Sequence, residues 1–189
     1  AASAMQTAFV EGGGRVTIAA GEAGAYRAAV TTPLEPEEIL AGHMLFVTFR
    51  LATSCAAFIL VMLAFGVTSG WWALAVLPAA LLTGLAFATP LAAWTVTLRT
   101  YTKVNSLFRF VIMPMYMFSG TFFALSQLPD GVRVVASVLP LAQGVALCRS
   151  LSLGTASLPA VIGHTVYLLA FVLAGIVAAR ITYRRRLHA

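Results

Sequence analysis

Four long apolar runs set the plan of this chain: residues 44–65, 71–98, 107–125 and 159–179. A transmembrane helix needs roughly 20 consecutive apolar residues. Each run is long enough, so the pattern predicts an all-α, polytopic membrane protein with four full transmembrane helices. Arg50 alone interrupts the first run. Gly66–Gly70 is a short turn, and Trp71 and Trp72 stand where an aromatic belt would. The second run is longer than a span requires, and Pro78, Gly84 and Pro90 predict kinks or a tilt. Gly84, Ala88 and Ala92 repeat at every fourth position, a spacing that permits close helix approach. Pro114 falls near the middle of the third run, which is rich in aromatic residues: Phe108, Phe110, Tyr116, Phe118, Phe122 and Phe123.

Two segments depart from this pattern. Residues 11–43 form a long polar stretch holding Glu11, Glu22, Glu35, Glu37 and Glu38. Gly12–Gly14 predict a loose start, and Ala19–Val30 a short helix. Thr31–Pro36 is a break, because each proline disfavours helix just before it. Pro36, Glu37 and Glu38 open the next helix, with acidic residues placed to complement its dipole. Residues 126–154 are the second departure. Ser119, Gly120 and Thr121 end the third apolar run, and Phe122 and Phe123 sit where a chain leaving a bilayer places rings. Pro129 and Pro140 each suit the first turn of a short helix. Val132, Val135, Ala136 and Leu139 follow i, i+3, i+4, i+7, and Leu141, Val145 and Cys148 are similarly spaced before Arg149 and Gly154. Both pieces are too short to cross a membrane and predict an amphipathic hairpin at one face.

Composition sharpens this. Only 10% of residues are charged and 60% are hydrophobic, against about 25% charged in a soluble domain. The net charge is +6, and its distribution orients the chain. Arg15, Arg27, Arg50, Arg99, Lys103, Arg109, Arg180, Arg184, Arg185 and Arg186 fall on or near one side. Only Arg133 and Arg149 fall on the other. The positive-inside rule then puts residues 11–43 and the tail, 180–189, in the cytoplasm and the hairpin outside the cell membrane. No basic–aromatic patch supports nucleic-acid binding. Residues 1–10 are mildly apolar, too short to span, lack the pattern of a secretory leader, and read as the end of a truncated helix.

Several chemistries lack their residues. No carboxylate falls inside a predicted span, where an ion-driven transporter keeps its relay. His43, His164 and His188 have no metal-ligand spacing, and His164 reads as a packed or hydrogen-bonded helix residue. Cys55 and Cys148 make no disulfide framework. No serine sits in a nucleophile elbow, so no catalytic residue is assigned. The single lysine, Lys103, follows Thr102, which excludes the Gly-Lys-Ser/Thr of a phosphate-cradling loop. Any active transport would draw its energy from another polypeptide.

The runs SGTFFALSQLP and LPLAQGVALCRSLSLG, with AYRAAVTTPLEPEEILAGH upstream, resemble type 2 ABC exporter permeases. Within them they are most similar to the branch exporting nodulation lipo-oligosaccharides, surface polysaccharides and drugs of the daunorubicin kind. Ala124 departs from a common proline and Gly131 from a common large residue. The resemblance implies a permease that pairs as a homodimer or heterodimer, with about two further helices before residue 1. A separate ABC ATPase subunit would hold ATP and magnesium, so no cofactor is expected in this chain. The cargo would be an amphiphile crossing the lipid bilayer. By the same resemblance Tyr26, Arg27, Val30, Thr32, Pro33, Leu34 and Glu35 would meet the ATPase as a coupling helix. Gly120, Thr121, Phe122, Phe123, Pro129, Pro140 and Arg149 would form an outer gate and hairpin, and Arg50, Arg109, Tyr116 and Phe118 would flank the substrate path. The residues alone also allow plainer readings. The coupling segment can be a connecting loop, and Arg50 and Arg109 can snorkel to the interface. The whole chain can be a membrane-embedded transferase or a passive anchor subunit.

Overall fold

The computed structural model describes residues 1–20, 35–66, 72–98, 102–121, 131, 134 and 137–187. Its elements are α1 (Ala2–Phe9), a π-helical turn over Val10–Gly14, and α2 (Arg15–Ala20). Then follow α3 (Pro36–Ala64), α4 (Trp72–Thr95) and α5 (Thr102–Leu107). A second π turn over Phe108–Ile112, α6 (Met113–Tyr116) and a third π turn over Met117–Thr121 continue the chain, and α7 (Pro140–Ser152) and α8 (Leu158–Leu187) complete it. No strand occurs among the described residues.

Helix α4 is the hub. Of its most apolar stretch 56% is buried, against 17% for α3 and α8, so those two turn most of their surface outward. Outward-facing Phe49, Phe58, Leu60, Val166 and Leu173 are what a lipid-facing surface requires. The small residues of α4 explain its central place. Gly84 takes the Leu51 side chain of α3, where an added Cβ would lie 2.7 Å from Leu51 Cδ2. Ala88 receives the backbone of Gly12, and Ala92 is buried beside Val16. The repeat of small residues therefore serves packing within this chain. Thr83, Thr89 and Thr95 satisfy their hydroxyls on the carbonyls of Ala79, Leu85 and Leu91, four residues back, at 2.8–3.0 Å, the usual solution for a hydroxyl inside an apolar helix.

Three described helices are long and apolar enough to cross a membrane: Glu37–Ala64, Ala75–Thr95 and Leu158–Arg185. The run expected as the third span, 107–125, is helical from Thr102 to Thr121, but α and π segments alternate along it. Pro114 gives a physical cause: it has no N–H to donate to the preceding turn, and its ring crowds the carbonyl there. A widened π turn on each side accommodates both.

The start of the chain corrects a second expectation. Gly12–Gly14 are not loose. They form a buried π-helical turn that carries helix from α1 into α2, and the expected polar segment therefore begins inside the bundle. Pro36 opens α3 as predicted, and α8 runs past residue 179 through most of the tail.

Of the predicted hairpin, the first piece lies largely outside the described residues, Pro129 included. The second is α7, with Pro140 in its first turn and Leu141, Ala142, Gly144, Leu147, Cys148 and Leu151 buried. Gly154 stops it with φ of +66°, and its N–H reaches the Leu151 carbonyl at 3.3 Å. A side chain at that left-handed position costs about 1–2 kcal/mol. Gly154→Ala should therefore lower the unfolding temperature measurably in detergent while leaving helix content unchanged.

Candidate functional site

Two clusters lie toward the end of the bundle where α3 begins and α8 ends. The first locks those termini together. Glu35 is the N-cap of α3 and forms a capping box with Glu38, whose Oε2 accepts from the Glu35 N–H at 2.9 Å. In the same turn, Glu37 pairs with Arg184 of α8 at 2.5 Å. Beneath them Leu40, Ala179 and Tyr183 pack with Val16, Ala92, Ala93 and Val96. The start of α3 is thus anchored to α2, α4 and α8 together. A push on it would move four elements, not one.

The second cluster is centred on Glu11. Its side chain is only 2% exposed, although the sequence places it at the head of a polar stretch. The π turn brings it against α3, where Arg50 Nε donates to Oε1 at 3.2 Å. Arg15 Nε lies 2.6 Å from Oε2. His43 Nε2–H donates to the Glu11 carbonyl at 3.1 Å, an acceptor the widened turn leaves accessible. Thr95 Oγ1 lies 3.2 Å from the Gly12 carbonyl, a second acceptor for the proton it shares with Leu91. Arg15 also stands over the Phe46 ring, 5.4 Å from its centre. The backbone can reach α4 because position 12 has no side chain: a Cβ there would sit 3.1 Å from the Ala88 oxygen.

Of the residues expected to act at the outer face, Phe122, Phe123 and Pro129 lie outside the described residues, and the others occupy the opposite end. Arg149 lies in the last turn of α7, exposed, at the rim of a cavity of about 440 Å³ shared with Cys55, Phe58, Thr121, Val145 and Cys148. His164 is hydrogen-bonded to Gln143 of α7, and Tyr167 donates to the Val138 carbonyl, so α7 is tied to α8. Gly120 and Thr121 fall in the third π turn, beside a buried Ser119 whose hydroxyl is 2.8 Å from that of Thr121.

The four residues expected to flank a substrate path do not converge. Arg50 belongs to the Glu11 cluster. Arg109 points outward from the second π turn, lining a cavity with Thr102, Asn105 and Ser106. Tyr116 is half-buried and Phe118 exposed on the same composite helix. Of the coupling residues, Tyr26, Arg27, Val30, Thr32, Pro33 and Leu34 lie outside the described residues, and Glu35 is the cap described above. Glu11, Arg15, His43 and the Glu37–Arg184 pair escape a sequence reading. The signal for the first three was the continuous helical phase of Ala4, Met5, Ala8, Phe9, Gly12 and Val16, all buried. Among the described residues no group of histidine, cysteine and acidic side chains could hold a metal ion.

Comparison with known proteins gives three findings. A family model described as "ABC-2 family transporter protein" matches residues 17–181. The chain is similar to nodulation protein J of Rhizobium leguminosarum bv. trifolii, 32% identical over 129 residues, covering 68% of this chain and 49% of that protein. It is also similar to nodulation protein J of Rhizobium leguminosarum bv. viciae, 30% identical over 129 residues, covering 68% of this chain and 50% of that protein. The chain thus spans about half the length of the curated relatives it matches. No solved structure matches it.

Proposed function

The chain belongs to the ABC-2 family of transporter proteins, an integral membrane protein by its long apolar helices, and from that premise we propose that it is the permease of an ATP-driven exporter. A separate ATPase subunit supplies the energy and carries the nucleotide and magnesium. The permease works as a dimer with itself or with a second permease. Its cargo is an amphiphile such as a lipo-oligosaccharide, a lipid-linked glycan or a hydrophobic drug. The similarity to two nodulation proteins supports the first of these, since the signature near the hairpin resembles the lipo-oligosaccharide branch.

The observation that carries the reading is the lock around Glu35, Glu37, Leu40, Tyr183 and Arg184. It ties the start of α3 to α2, α4 and α8, which supports a force-receiving role for that end of the bundle. We assign contact with the ATPase to residues 26–35 and place that end of the bundle in the cytoplasm.

The test is co-purification. The full-length protein, solubilised in mild detergent, should bring ATPase activity with it. Replacing Thr32-Pro33-Leu34 with Gly-Ser-Gly should remove most of that activity without changing the elution profile of the permease. A well-folded permease that brings no ATPase would shift the reading to a passive anchor. Activity unaffected by the replacement would place the contact elsewhere.

A further inference from the structure

The Glu11 cluster contains more positive charge than its own pairing uses. One carboxylate faces two guanidiniums, and each meets it through Nε. That contact uses one of the five N–H donors of each guanidinium, and the terminal nitrogen on the side away from Nε–H in each has its donors left over. Among the described residues no other hydrogen bond or ion pair takes them. Both side chains are about half exposed, 57% and 51%, while Glu11 is 2% exposed. A buried acid thus fixes two arginines from behind and presents their free edges outward. A guanidinium edge matches phosphate oxygens, with two parallel N–H donors on each fork.

Depth supplies the second half of the argument. Helix α3 has 29 residues, about 43 Å at 1.5 Å per residue, against a hydrocarbon core of about 30 Å. Its polar first turns must therefore project beyond the hydrocarbon. That leaves Arg50 just inside the boundary, with its side chain leaning toward the N-terminal end of the helix. Leu45, Phe46 and Phe49 are exposed on the same stretch of α3, and Phe46 lies under Arg15. Ionisable residues at such depth mark binding or transport sites by default.

We propose that Arg15 and Arg50, held by Glu11, bind the phosphate of an amphiphile lying in the adjoining leaflet, with its chains along the apolar face of Leu45, Phe46 and Phe49. The site takes a phosphomonoester or diphosphate group joined to a hydrocarbon chain. This deepens the exporter reading by naming a substrate class. Whether the bound lipid is then moved rests on that reading; binding itself does not.

The test uses the full-length chain without any ATPase, in phosphate-free detergent, and fluorescently labelled dioctanoyl phosphatidic acid as the probe, read by anisotropy. Arg50→Gln should weaken binding about tenfold or more. Arg15→Lys and Arg50→Lys keep the charge and the pairing with Glu11 but lose the fork, and each should weaken binding at least threefold. They also guard against a variant that fails to fold. Arg184→Gln, which removes a charge from the neighbouring ion pair, should change affinity less than twofold.

Equal affinity of both lysine variants and the parent would overturn the proposal. So would a loss in Arg184→Gln as large as in Arg50→Gln, which would show diffuse attraction. Displacement of the probe by equimolar inorganic phosphate would assign the site to a soluble anion, and displacement by dioctanoylglycerol would show recognition of the chains alone. Phosphate-selective binding by a chain that recruits no ATPase would uphold the site and reject the exporter reading.

Discussion

Gly175→Leu is expected to leave little or no monodisperse protein after solubilisation. Gly175 lies on α8 where that helix crosses α4, and a Cβ there would come within 2.7 Å of Pro90 N and Cδ. Real Cβ atoms do not approach so closely, and although the nearest atom, Thr89 Oγ1, can turn away, the Pro90 backbone nitrogen and its rigid ring cannot. Overfilling a packed site usually costs about 1–3 kcal/mol. Where neither side can yield, the helices must separate, and about 3 kcal/mol or more is expected against a total stability of about 5–15 kcal/mol. The same helix provides the control: at Gly163 nothing lies within 4 Å of an added Cβ. Gly163→Leu should elute as a single peak with its unfolding temperature within a few degrees of the parent. Size-exclusion profiles of fluorescent fusions read both. Equal behaviour of the two variants would mean that α8 does not cross α4 at Gly175.

What the sequence made legible, and what it hid, follows from how local each cause is. Helices α3 and α8 were readable because a long, almost wholly apolar run has one explanation in a bilayer. The start of α3 was readable for a local reason too, since Pro36 with Glu37 and Glu38 is a start signal contained in one turn. The third run was readable as apolar and helical, yet the π turns on either side of Pro114 depend on how one missing N–H is accommodated in three dimensions. Gly12–Gly14 misled because three glycines in water predict a flexible chain. In a bundle of membrane helices the same residues remove the obstacle to backbone contact, and here Gly12 touches Ala88. Once that turn is helical, Glu11 is carried inside the bundle, although it belongs to no predicted span. The pairing of Glu37 with Arg184 joins residues from opposite ends of the chain, and no spacing rule could propose it. The coupling assignment of Tyr26, Arg27, Val30, Thr32, Pro33 and Leu34 rests on family resemblance alone, and these residues lie outside the described ones.

The Glu11 cluster allows a prediction of unusual sign: removing three charges should cost less than removing two. Arg15→Ala with Arg50→Ala strips both cations from a carboxylate that is 2% exposed. An ion left buried without its partners costs about 3–5 kcal/mol. The lower end, about 3 kcal/mol, applies here because both guanidiniums already lie half in solvent, where part of each attraction is screened. Adding Glu11→Ala removes the stranded charge. What then remains is the lost packing of three side chains and the hydrogen bonds of the cluster, about 1–2 kcal/mol at the ordinary worth of such contacts. The triple variant should therefore be more stable than the double by about 1–2 kcal/mol, roughly a tenfold change in the unfolding equilibrium at 1.4 kcal/mol per decade. Urea unfolding in mixed micelles, followed by tryptophan fluorescence, would read the order directly. A triple variant less stable than the double would mean that water reaches Glu11 and that its burial does not govern the cluster. The observed order would identify the carboxylate as the costly member and the arginines as its compensation. That is the arrangement expected if the acid is kept for what it positions and not for stability.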